Sequence, residues 1–339
     1  GTNTLALLLV NIAMLRTVCL NAIRRCCLAS LSTHFVRRTR LCRRRCALFA
    51  ALLVISSLAL LPAATAQTAY TRLADLNPGT LDSNPNEYVQ LDAPGGPLVL
   101  FAATGRTGSG SIVGRELWAT DGTVGGTRLV ADIRGGSSSS NPEELVVFGD
   151  AVYFACTTGS TGRELCRSDG TTAGTAVLKD MNPGTADASA RGLTVVGAQL
   201  FFFANDGATG LELWVSDGTA NGTVLVKDIY PGPTPLNRSD DGFNISLEGR
   251  HAGTNAFFYF MANDGTTGLE LWRSDGTESG TNIARDINPG TEGPDWLRQF
   301  TRAGDLLVFE SYTPTTGREV WVSDGTEAGT NPIVDLVPG

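Results

Sequence analysis

From Gln67 onward the chain alternates short apolar runs with clusters of Gly, Asn, Asp and Pro. The clearest stretch has runs at 193–196, 200–204, 211–216 and 223–229, filled by aromatic, aliphatic and β-branched residues. Short runs of this composition between turn formers predict strands. Gly197-Ala198 predicts a tight hairpin, and 205–210 and 217–222 supply the next two turns. No useful length of this region places its apolar residues at helical spacing. The expectation is an all-β fold.

The same four-strand pattern returns along the chain. Its third run carries Arg115-Glu116-Leu117-Trp118, then Asp121-Gly122-Thr123. Related segments hold Glu164, Glu212, Glu270 and Glu319, in steps of 48, 48, 58 and 49 residues. A trailing Asp-x-x-Pro-Gly element or a near variant follows each copy, at Asp132, Asp180, Asp228, Asp286 and Asp335. A sixth stands alone at the front, at Asp75. A four-stranded sheet of this size cannot bury both faces by itself, and stacking copies around an axis solves the problem. The repeat therefore predicts a β-propeller of ~48-residue four-stranded blades. Five units plus a front strand at 70–76 make one strand too many for five closed blades. A ring of six or more blades is expected; a five-bladed ring with a surplus edge strand is the alternative.

The first 66 residues are of another kind. They hold nine Arg, no acid and five of the seven Cys. Arg43, Arg44 and Arg45 precede an apolar run at 47–61, then Ala-x-Ala at 64–66, a secretory signal-peptide pattern over about 41–66. Residues 1–66 are thus read as a leader whose upstream part is either a misassigned start or the sign of a fragment, and 67–339 as the repeat domain. The expected location is secreted or at the cell surface, with no membrane span after the leader. All 34 acidic residues lie beyond it. Such a surface repels phosphate backbones, so nucleic acid is excluded as a partner. The expected form is a monomer.

The repeat resembles the bacterial ELWxxDGT repeat family of exported proteins. The resemblance covers essentially everything after the leader, with departures at Cys166 (Trp in the family) and Val320 (Leu). It implies a surface or secreted protein and no defined activity.

Trp118, Trp214, Trp272 and Trp321 sit mid-strand between apolar neighbours and are read as structural core packed between sheets; the competing reading is a ring of sugar platforms. Asp121, Asp169, Asp217, Asp275 and Asp324 open the turn between third and fourth strands. An Asp there accepts backbone N–H bonds, and the following Gly takes positive φ. Calcium is the alternative, disfavoured because the spacing does not match an EF-hand loop. The repeated Glu shares a strand face with the Trp and needs hydrogen bonds if buried. Cys156 and Cys166 fall on neighbouring strands, where a cross-strand disulfide is feasible and two free thiols are the alternative.

His251 is the lone histidine after the leader, which argues against Ser-His-Asp triads and multi-histidine zinc sites. The function expected from these residues is an exported scaffold for an unknown protein or glycan, without catalysis or cofactor. The alternatives are a glycan-active enzyme with a carboxylate pair at the channel mouth and a calcium-dependent adhesion module. The insertion at 230–251 is a candidate contact loop.

Overall fold

The computed structural model describes residues 72–79, 81–233, 249–290 and 297–334. The leader, most of the 230–251 insertion and the element at Asp335 lie outside them.

Among the described residues, twenty strands form five four-stranded antiparallel sheets, each in simple up-and-down order. The first holds β1 (Asn86–Ala93), β2 (Gly96–Arg106), β3 (Ile112–Thr120) and β4 (Arg128–Ala131). The second holds β5 (Glu143–Phe148), β6 (Ala151–Thr158), β7 (Gly162–Ser168) and β8 (Ala176–Lys179). The third holds β9 (Arg191–Val196), β10 (Gln199–Asn205), β11 (Leu211–Ser216) and β12 (Val224–Lys227). The fourth holds β13 (His251–Gly253), β14 (Phe258–Asn263), β15 (Leu269–Ser274) and β16 (Asn282–Arg285). The last holds β17 (Leu297–Ala303), β18 (Leu306–Thr313), β19 (Gly317–Ser323) and β20 (Asn331–Pro332).

The first strands β1, β5, β9, β13 and β17 neighbour one another in succession, so each sheet is a propeller blade with its first strand innermost. Arg72–Leu76 forms no strand, in contrast to the expected front strand; Leu76 instead lies against Trp118 and accepts a 2.8 Å bond from Arg106 N–H. Among the described residues no helix is long and apolar enough to cross a membrane.

Stability comes from between the blades. One face of each blade carries the motif Trp or its replacement, and the other carries the residues one step along the strand. Phe201, Phe203 and Leu213 of the third blade share a core with Phe258, Phe260 and Trp272 of the fourth. Tyr153, Ala155 and Leu165 of the second likewise meet Phe202 and Trp214 of the third. The alternation of strand residues thus makes two apolar faces per blade. On the last blade Val320 is 39% exposed, where its counterparts Leu117, Leu165, Leu213 and Leu271 are fully buried.

Lysine is scarce in this chain, and its two copies do one job. Lys179 Nζ of the second blade donates to Thr223 O of the third at 2.6 Å and lies 5.8 Å from the Trp214 ring centre. Lys227 repeats this on Thr281 and Trp272, at 3.0 and 5.6 Å. Arg285 does so on Thr330 and Trp321. Each cation ties one blade's outer strand to the next blade's indole through a hydrogen bond and a cation–π contact.

Candidate functional site

First and third strands of a blade run parallel, so the end of the third strand and the start of the first lie at opposite ends of the propeller. The Asp-Gly-Thr turns occupy one end. At the other lie the inner-strand starts, the blade-to-blade connections and the motif glutamates.

The turn end is a closed hydrogen-bond system. Asp217 Oδ1 accepts from Thr219 N–H at 2.8 Å and Thr219 Oγ1 at 2.7 Å, and Thr219 Oγ1 accepts from Gly222 N–H at 2.9 Å. Thr223 Oγ1 donates to Thr219 O and meets Ser216 Oγ, both at 2.7 Å. Asp121, Asp169, Asp275 and Asp324 bond to their threonines in the same way. The threonine hydroxyl holds each of these carboxyls below the usual aspartate range. Gly222 is required here, because a Cβ would lie 2.1 Å from the Asp217 carboxylate. Among the described residues no three metal-ligating side chains come together.

The motif glutamates pin the connections. Glu164 accepts from Met181 N–H at 2.9 Å and Ala188 N–H at 3.1 Å; Glu116 accepts from Ile133 N–H at 2.9 Å and from Ser140 N–H and Oγ at 2.8 and 2.6 Å. Glu212 does the same for Ile229 and Tyr230, and Glu270 for Ile287. All four are fully buried. Desolvation pushes Glu164 up to about 7, Glu270 to about 8 and Glu212 to about 9, and raises Glu116.

Trp118, Trp214, Trp272 and Trp321 are all buried between blades or against Leu76. Of these four, Trp118 places its indole N–H on an acceptor, Ala103 O at 3.0 Å, and the other three have none. Where the second blade has Cys166 in the tryptophan slot, a disulfide joins it to Cys156 across β6 and β7, with Cα atoms 5.9 Å apart.

The inner rim is where the blades stop resembling each other. Glu87, Glu144, Gly192, Gly249 and Gln299 all take positive φ, between 57° and 71°, at or beside the starts of the inner strands. Gly meets this at no cost, whereas Glu87, Glu144 and Gln299 each bear about 1–2 kcal/mol of backbone strain. Two of the three side chains recover it. Glu87 accepts from Glu144 N–H at 2.9 Å, and Glu144 accepts from Gly192 and Leu193 N–H at 2.5 and 3.1 Å. Farther round, Phe300 N–H donates to Gly249 O at 3.2 Å, and His251 packs against Phe203 and Phe258. The first two blades put acids at this rim and the last three put Arg191, Arg250 and Arg298. Sequence reasoning missed these arginines, since they sit outside the repeated motif and are visible only once the inner strands are aligned.

No family model matches the chain, and no curated protein does. Among solved structures it is similar to a Mycobacterium tuberculosis puromycin-hydrolyzing peptidase at 15% identity, covering 79% of this chain and 41% of that one, with TM-score 0.46. It is similar to prolyl oligopeptidase B from Galerina marginata at 12% identity, covering 76% and 37%, TM-score 0.42. It is also similar to a putative TolB from Agrobacterium tumefaciens at 13% identity, covering 75% and 82%, TM-score 0.35. The chain spans less than half the length of either peptidase. The expected non-catalytic scaffold for protein or glycan finds no support here: the matched propellers include parts of peptidases. At the rim, Glu87 and Glu144 each accept from backbone N–H groups.

Proposed function

We propose that this propeller reads the substrate of an enzyme acting on short peptides or peptide-like amides, with the inner rim as the reading face. The observation that supports it is the break in symmetry at that rim. Five blades repeat their turns and four repeat the glutamate pin, and a repeated group cannot favour one orientation of a small ligand. Charge that changes from blade to blade can. No chemical step is assigned to a described residue, because the repeated carboxylates are engaged in structural bonds. The test mixes the protein with fluorescent di- and tripeptides and follows anisotropy and hydrolysis in the same samples. Binding that unlabelled peptides compete away, with or without cleavage, is the expected result. A protein that neither binds nor cleaves any of them overturns the reading.

A further inference from the structure

Within the chain each blade packs one face on the blade that follows, and the two end blades each carry half of another such joint. Val308 of β18 is half-buried, where its counterparts Leu100, Tyr153, Phe201 and Tyr259 are buried. Leu306 and Val320 are exposed beside it, and Ile333 is 56% exposed where Val130, Val226 and Ala284 are buried. The first blade carries the other half. Tyr88 is 62% exposed and stacked on Phe101, at the place where Leu145, Leu193 and Phe300 join the cores between blades. The connection that such a joint contains is already seated there. Leu76 lies with Trp118 as Met181, Ile229 and Ile287 lie with Trp214, Trp272 and Trp321. Ser83 O accepts from Thr104 N–H at 2.9 Å, as Ser140 O does from Thr157 N–H at 2.7 Å and Ala188 O from Asn205 N–H at 2.9 Å. Inner strands neighbour one another from β1 to β17, and among the described residues these two do not pack as the others do.

We propose that the last blade of one copy docks on the first blade of a second copy, repeating between chains the joint made within each. The two open faces match because they are the outgoing and incoming faces of one repeat. Covering Val308, Val320 and Ile333 with the face that carries Tyr88 takes apolar surface of both copies out of water. The partner covers a face and does not extend a sheet, since the edge strand β20 is two residues long and contains Pro332. Two different faces meet, so the association is heterologous, and each docked pair leaves one face of each kind open. Val334 stands where Lys179, Lys227 and Arg285 tie their blades to the next. The joint between copies therefore lacks the staple and is weaker than the joints within the chain, which makes the association reversible.

The test is sedimentation velocity on the whole protein over a range of concentrations. The weight-average mass is expected to rise with concentration to at least twice that of one chain. Val320→Glu and Tyr88→Glu each block one face, and each variant should sediment as a single chain. Mixed in equal amounts, the two variants keep one open face of each kind and should form a two-chain complex that grows no further. Val124→Glu, on an exposed turn of the first blade, should associate as the unaltered protein does. Circular dichroism and melting establish that each variant is folded, and Ile333→Glu provides a second substitution on the last blade's face. Association that survives Tyr88→Glu means that two last blades meet each other, and overturns the joint. A single-chain mass at every concentration, association that survives both last-blade substitutions, or a mixture of variants that stays single also overturns it.

Discussion

The two ends of this propeller are built from the same repeat and have come to differ. At the turn end, Asp, Gly and Thr recur in every blade with bond lengths that agree to about a tenth of an ångström. At the connection end, the motif glutamates recur too, but the inner-strand residues beside them run from acid to arginine around the ring. Sameness at one end is what a fold requires, since each turn faces the same local problem. Difference at the other end is what a ligand requires, since a small molecule does not share the repeat's symmetry.

The comparison breaks most severely at the pins. Glu212→Ala leaves the Ile229 and Tyr230 N–H groups buried without an acceptor and should cost on the order of 3 kcal/mol in urea unfolding. Losing the second blade's disulfide in Cys156→Ser should cost about 2–3 kcal/mol on the chain-entropy account, read as a drop in melting temperature. At the turn end, Asp217→Ala removes only exposed local bonds and should shift the urea midpoint least of the three. A turn variant more damaging than the pin variant would reverse the ranking of the two ends.

pH separates the ends further, with opposite signs. The pin glutamates have folded pKa values raised above the ordinary 4.5, so the folded state holds protons that the unfolded chain has released. Their contribution is present in full below about pH 4.5 and is lost as pH rises through about 7 to 9. The turn aspartates are lowered, so their contribution is present above the ordinary 3.8 and is lost as pH falls through the folded values. Unfolding free energy measured from pH 3 to pH 9.5 should decline toward both limits, and Glu212→Gln should flatten the alkaline side alone.

Much of this fold was legible in the residues. The strand at 211–216 appears with the bounds its pattern predicts, because Leu, Trp and Val between the glycine-bearing turn at 205–210 and Asp217 leave little choice. The front strand at 70–76 was the misreading over its described residues: Leu76 packs against Trp118, a contact that local pattern does not distinguish from strand pairing. The tryptophans were placed between sheets by their apolar neighbours, whereas the lysine staples over them depend on how one blade meets the next. The rim arginines were illegible for the same reason. Arg191, Arg250 and Arg298 lie 59 and 48 residues apart in variable segments, and only the stacking of inner strands makes them neighbours.

Hydrogen exchange with and without N-acetyl-alanyl-alanine tests most directly whether the variable end does the reading. The account predicts added protection at residues 249–251 and 297–300, with the turns at 217–222 and 275–280 unchanged. Protection gathered at those turns, with the rim unaffected, would contradict it.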